Sequence, residues 1–165
     1  MGLGIVYRCE KCNEVHGVMF GSGYNFPAKC LDLKQKALNG EFGKNWKQLM
    51  TENEDYVIDA TYYLYYCKNC GNWEMEPSLS VFGPKYPENS NEYENFENDF
   101  REWSFCPWDR YDRKYKLVKR YRHTCSDCGN LMKRYDERTV DQLVLKCPEC
   151  YGHLVPDPGA GIMWD

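Results

Sequence analysis

Residues 125–150 read CSDCGNLMKRYDERTVDQLVLKCPEC. Two Cys-x-x-Cys pairs, Cys125/Cys128 and Cys147/Cys150, enclose the stretch 129–146 in the pattern C-x2-C-x18-C-x2-C. Cysteines three apart can curl round one ion, their thiolates taking two corners of a tetrahedron while intervening amides point at sulfur. The spacing of the two pairs falls within that of four-cysteine metal sites, and it predicts that they face one another on short β-hairpins.

Two further pairs lie upstream, Cys9-Glu10-Lys11-Cys12 and Cys67-Lys68-Asn69-Cys70, separated by the longer stretch 13–66. By elimination these form a second tetrad, and the intervening chain holds a helical insertion; a crossed pairing of the knuckles is the alternative. The turn of such a knuckle favours a left-handed residue just after its second cysteine, which Gly or Asn supplies at low cost. Asn13, Gly71 and Gly129 fit, whereas Tyr151 does not and Gly152 stands one place late, so the fourth knuckle is expected to be distorted. Four thiolates fill a tetrahedral shell and leave no position for water, which makes the ion structural rather than catalytic. Two Zn²⁺ ions are the expectation, and iron, which accepts the same donors, is the alternative.

The chain has 165 residues, ten of them cysteines, and a formal net charge of −4. No run approaches the ~20 apolar residues that cross a bilayer, and the opening MGLGIVYRCE has no basic region ahead of its apolar stretch, so no secretory signal is expected. A cytoplasmic location follows, where thiols stay reduced and paired cysteines read as metal ligands rather than disulfides. The expected fold is mainly β with a helical insertion, built on two four-cysteine zinc ribbons of short antiparallel hairpins. Strands are predicted over Tyr56–Cys67, Leu79–Phe82, Lys114–His123 and Val140–Lys146, and helices over Ala28–Leu38 and Lys44–Met50. Residues 51–109 carry 3 basic and 13 acidic side chains, and residues 110–138 carry 10 and 4. The expected division is an N-terminal ribbon over 1–83, an acidic linker or surface loop over 84–112, and a C-terminal ribbon over 113–165.

Weaker signals remain. Residues 110–122, RYDRKYKLVKRYR, interleave seven basic residues with Tyr111, Tyr115 and Tyr121. Cations for phosphate and rings for bases make a candidate single-strand binding surface, with Lys119, Arg120 and Arg122 as its contacts. The plainer reading is a solvated strand with an apolar underside, paired with the acidic stretch. Gly21–Pro27 reads as a turn, or as an anion cradle ahead of a helix. Cys30 and Cys106 fall outside the knuckles and read as buried thiols. His123, two before Cys125, is expected beside the ligands rather than among them. No paired carboxylates, nucleophile elbow or HExxH motif is present, so the sequence offers no reason to expect an enzyme.

The Tyr7-Arg8-Cys9-Glu10-Lys11-Cys12 opening, the Gly21-Ser22-Gly23 turn with Phe26-Pro27, Cys67–Glu74, Cys125–Gly129 and Cys147–Cys150 together resemble small bacterial double zinc-ribbon proteins of the broader zinc-ribbon and rubredoxin-like group. The resemblance implies metal binding and fold, and carries no substrate. A protein-interaction or adaptor module is therefore the first expectation, with Tyr62, Tyr63, Tyr65, Tyr66 and Trp73 as its exposed aromatics. A nucleic-acid-binding ribbon is second, and a rubredoxin-like iron electron carrier third.

Overall fold

Hairpins form where a cysteine pair interrupts an apolar or aromatic run. The computed structural model describes residues 2–23, 26–85, 115–160 and 162–164. Its elements, in order, are β1 (Gly2–Cys9), β2 (Val15–Phe20), α1 (Phe26–Asn39), α2 (Lys44–Glu52), β3 (Val57–Ile58), β4 (Tyr62–Tyr66), β5 (Trp73–Pro77), β6 (Val81–Pro84), β7 (Tyr115–Lys119), β8 (Lys133–Tyr135), β9 (Leu154–Pro156) and β10 (Ile162–Trp164). Among the described residues the fold is β-rich, with three small antiparallel sheets and two helices. No helix among the described residues is long and apolar enough to cross a membrane.

The chain divides into two compact units, and neither is continuous in sequence. The first comprises 1–24, 61–77 and 122–165; the second comprises 25–60 and 78–121. The expected succession of ribbon, linker and ribbon is corrected here. Every cysteine pair lies in the first unit, and both insertions between knuckle-bearing segments go to the second.

In the first unit, β1 leads into the Cys9/Cys12 turn and β2 leads out of it, paired from Leu3↔Phe20 to Arg8↔Val15. The other edge of β1 receives β10 and then β9. β4 and β5 flank the Cys67/Cys70 turn in the same manner, with β8 on the free edge of β4. A Gly21↔Tyr62 bridge ties the end of β2 to the start of β4. Tyr7, Val18, Phe20, Leu64, Tyr135, Val140, Leu145 and Leu154 form the core of this unit.

The second unit packs α1 and α2 against the sheet β3-β6-β7. Cys30, Leu33 and Ala37 recur at helical spacing on the inner face of α1, so Cys30 is a core residue. α1 stops at Asn39-Gly40. Gly40 takes φ +89°, and the amides of Gly40 and Glu41 return to the carbonyls of Ala37 and Lys36, closing the helix with a Schellman motif. Trp46 of α2 lies over the core and donates its indole N–H to the Leu79 carbonyl at 2.9 Å.

Both predicted helices form, whereas the predicted strands change. The run Tyr56–Cys67 breaks at Asp59–Thr61. β3 before the break pairs with β6 in the second unit, and β4 after it pairs with β5 and β8 in the first. At the break the Asp59 amide donates to the Ser80 carbonyl and its carbonyl accepts from the Leu79 amide. These bonds keep Asp59 with the β6 side while β4 turns to other partners. The predicted strand over Val140–Lys146 opens instead as a 3-10 turn at Val140–Gln142. Thr139 Oγ1 donates to Asp136 Oδ1 at 2.6 Å, and the Val140 amide reaches the Asp136 carbonyl; such side-chain bonding favours turns over strands. Tyr65 is core rather than surface at 3% exposure, and the Tyr63 ring lies under Arg134 at 4.2 Å. Cys106, the acidic stretch from 86 onward and the basic residues up to Lys114 lie outside the described residues.

Met50 is 2% exposed in the core of the second unit. Met50→Ala is expected to cost about 2–4 kcal/mol. Denaturant unfolding should show that loss while the number of metal ions bound per chain is unchanged.

Candidate metal centres

The turns between the paired strands share one hydrogen-bond pattern. The amide of each first cysteine, Cys9, Cys67, Cys125 and Cys147, donates to the carbonyl two places after the second cysteine of its pair, at 2.8–2.9 Å. The residue just after each pair returns its amide to the first cysteine's carbonyl: Asn13, Gly71, Gly129 and Tyr151, at 2.8–3.0 Å. All four of these residues are left-handed, with φ of 68°, 80°, 70° and 59°. The fourth knuckle is therefore undistorted, contrary to expectation, because Tyr151 itself adopts the left-handed conformation. Gly152 has a different task. A Cβ there would stand 2.7 Å from Lys11 Cβ and 2.9 Å from Cys9 Sγ, so only glycine lets this backbone pass the neighbouring knuckle.

The pairing of knuckles is the main departure from the sequence reading. Cys9 and Cys12 meet Cys147 and Cys150, forming an outer centre; Cys67 and Cys70 meet Cys125 and Cys128, forming an inner one. One tetrad is nested inside the other in sequence. Within each, all sulfurs lie within 4.8 Å of one another. Cross-knuckle Sγ–Sγ distances are 3.4 Å (Cys9–Cys150), 3.7 Å (Cys12–Cys147), 3.5 Å (Cys67–Cys128) and 3.6 Å (Cys70–Cys125). A tetrahedral ion with metal–sulfur bonds of about 2.3 Å separates its sulfurs by about 3.8 Å. Both centres thus fit a tetrahedral ion with little adjustment.

The two centres also share a strand register. Cys9 pairs with Leu154, four places after Cys150. In the inner centre Tyr66, one before Cys67, pairs with Lys133, five after Cys128, which is the same alignment. The bridges Thr124↔Leu131 and Lys146↔His153 coincide likewise, each joining the residue before a pair to the third residue after it.

Around this common frame the polar neighbours differ. At the outer centre the Lys11 amide donates to Cys9 Sγ at 3.4 Å, and His16 Nε2 lies 3.4 Å from Cys147 Sγ, where an N–H on it supports a thiolate. At the inner centre Asn130 Nδ2 donates to Cys128 Sγ at 3.4 Å and Asn72 Nδ2 to Cys125 Sγ at 3.7 Å. Glu74 braces that centre without touching sulfur. Its carboxylate accepts from the Ser126 amide at 2.9 Å, the Ser126 hydroxyl at 2.8 Å and Asn72 at 3.0 Å, and pairs with His123 at 2.6 Å. Burial opposes charge on Glu74, but the Ser126 amide and His123 together hold its carboxyl below the usual range. His123 thus stands beside the ligands, aimed at Glu74. His16 and Glu74 occupy the same place, four after the second cysteine of their hairpins, and that shared offset is the sequence signal that marks both.

Metal-free thiols crowded this closely cannot all ionise. Cys9 is lowered to about 6, chiefly by the Cys12 amide, and Cys128 to about 6, chiefly by the Asn130 side chain. Cys12 is helped toward the thiolate by the Glu14 amide, yet burial and its cysteine neighbours drive it up to about 12. Cys70 follows the same logic with the Asn72 amide and is also pushed to about 12. A dication supplies the charge that lets all four thiolates coexist. These donor sets can hold metal ions, and their completeness suits a structural role.

Lys119 Nζ lies over the Trp46 ring at 4.7 Å, while Arg120 and Arg122 are exposed. Of the predicted apolar underside, Tyr115 is buried in the second unit's core and Tyr121 packs against it, whereas Leu117 is exposed. Comparisons of the chain with protein-family models, curated proteins and solved structures return no match.

Cys12 and Cys70 keep their protons at neutral pH in the metal-free chain, since both thiols titrate near 12. Metal uptake must displace those protons, so affinity is expected to rise about tenfold per pH unit for each one displaced and to fall on acidification. A zinc titration in weak buffer with a pH indicator should release no fewer than about one proton per ion. Gly152→Ala is expected to abolish metal binding at the outer centre while leaving the inner, so metal analysis should drop by one ion per chain.

Proposed function

We propose that the two centres hold structural Zn²⁺ and that the chain is a non-enzymatic adaptor module that binds a protein partner in the cytoplasm. The metal assignment rests on the closed four-thiolate shells. With every tetrahedral position taken by protein, an ion there shapes the surface rather than reacting with a substrate. Iron would fit the same sulfurs, and an electron carrier is the corresponding alternative.

The observation that carries the interaction reading is Tyr151. It is 76% exposed, and it holds φ +59° where the other knuckles place Asn or Gly. A bulky residue in the left-handed region costs roughly 1–2 kcal/mol, and an exposed ring recovers little of that inside the chain. Strain of this kind gathers where a side chain serves a contact. Tyr151 also lines a groove of about 550 Å³ together with Trp73, Pro148, Lys146, Ser126 and Asp127. A mixed aromatic and polar groove of this composition suits a protein partner. Nucleic-acid binding is the alternative: of its three expected contacts Lys119 lies over Trp46, while Arg120 and Arg122 are exposed.

Metal analysis of protein purified without added metal should give two Zn²⁺ per chain and no visible absorption; stoichiometric iron with a red colour would overturn the zinc assignment. Tyr151→Gly should raise stability by about 1 kcal/mol. A photo-crosslinker at position 151 is expected to give a discrete protein adduct in cells. Adducts to nucleic acid, or none at all, would sink the adaptor reading.

A further inference from the structure

The nested pairing gives the two centres unequal loops to close. The inner centre closes the stretch 71–124 between Cys70 and Cys125, and the outer closes 13–146 between Cys12 and Cys147. Loop entropy alone then favours the inner centre by about fourfold. Once the inner centre has closed, the path from Cys12 to Cys147 runs only through 13–66, across the ion, and on through 129–146. That shortening favours the outer centre by about two- to threefold.

One side chain adds a direct link. Trp73 stands three places after Cys70, at the start of β5 in the inner hairpin. Its indole N–H donates to the carbonyl of Lys146 at 2.8 Å, and Lys146 immediately precedes the outer ligand Cys147. Its ring meets His16 edge-on, with centroids 6.2 Å apart, and His16 Nε2 lies 3.4 Å from Cys147 Sγ. Trp73 thus holds Cys147 from both sides, through the backbone before it and through the imidazole at its sulfur. The outer hairpin has no counterpart at this place: Val15, three after Cys12, is half exposed at 49%.

The geometry points to ordered and cooperative metal loading, in which the inner centre fills first and presents Trp73 as the arm that completes the outer centre. The inference rests on the metal-binding reading and adds an order and a dependence to it. Coupling between two sites is reciprocal. The order therefore comes from the loops, and the dependence from Trp73 together with the shortened path.

Cobalt(II) titration of the reduced, metal-free full chain, followed by thiolate-to-cobalt absorption, tests it. The native chain should take up both ions within one transition, because a coupling of at least about fivefold outweighs the roughly fourfold preference for the inner centre. The double variant Cys147→Ser with Cys150→Ser should bind one ion within about twofold of the native midpoint. Cys125→Ser with Cys128→Ser should bind its ion about fivefold more weakly than the native midpoint. Trp73→Phe keeps a ring but removes the indole donor. It should leave the single ion of the Cys147→Ser, Cys150→Ser chain within about twofold and broaden the native transition toward higher cobalt. An outer centre that binds as tightly without the inner one, or a native transition untouched by Trp73→Phe, overturns the inference and leaves metal binding standing. A native chain that develops no thiolate-to-cobalt band overturns both.

Discussion

Cys12 and Cys147 bring their sulfurs to 3.7 Å although the whole stretch 13–146 lies between them, and the rest of the structure accommodates that closure. A tetrahedral ion needs four thiolates in one small volume. Two such volumes, each drawing on knuckles far apart in the chain, require the segments between them to leave and return. Both departures, 25–60 and 78–121, go to the same place and build the second unit. The helices and the β3-β6-β7 sheet therefore belong to neither centre. They satisfy their own apolar faces through Leu33, Ala37, Met50, Ile58 and Val81, all buried.

The knuckle itself is a transferable device, used four times with the same backbone hydrogen bonds and joined twice with the same strand register. The differences lie in what touches sulfur. The outer centre uses an imidazole at Cys147, and the inner uses the amides of Asn72 and Asn130. His16 and Glu74 sit at one equivalent position and take different tasks, one at a sulfur and one bracing the opposite knuckle through Ser126. A shared frame with divergent donors permits the two centres to differ in affinity without any change in their ligands.

The four knuckles, both helices and the β-rich class could be read directly from the residues. Cys-x-x-Cys spacing, the helical recurrence of Cys30, Leu33 and Ala37, and the Asn39-Gly40 stop are local signals. The partnering of knuckles was not legible, because local spacing favours closing the short stretch 129–146, and the structure closes 71–124 and 13–146 instead. The break inside Tyr56–Cys67 was hidden for a related reason. The strands that divide it, β6 for its first half and β5 and β8 for its second, all lie downstream of the run itself. Tyr151 misled in the opposite direction: its residue type argued for a distorted turn, yet the same hydrogen bond that closes the other knuckles holds it left-handed.

The short loop that misdirects the sequence reading also exists for the folding chain. Cys125, Cys128, Cys147 and Cys150 can meet round one ion by closing only the stretch 129–146, which loop entropy favours by about fivefold over the native inner loop. Refolding in the presence of metal therefore begins with a competition, and a tetrad captured across the short loop must release a bound ion before the native pairs can form. Such exchange is slow beside hairpin formation, which takes about 1–10 μs. For the molecules so captured, arrival at the native state waits on ligand exchange at the misplaced ion rather than on the assembly of strands.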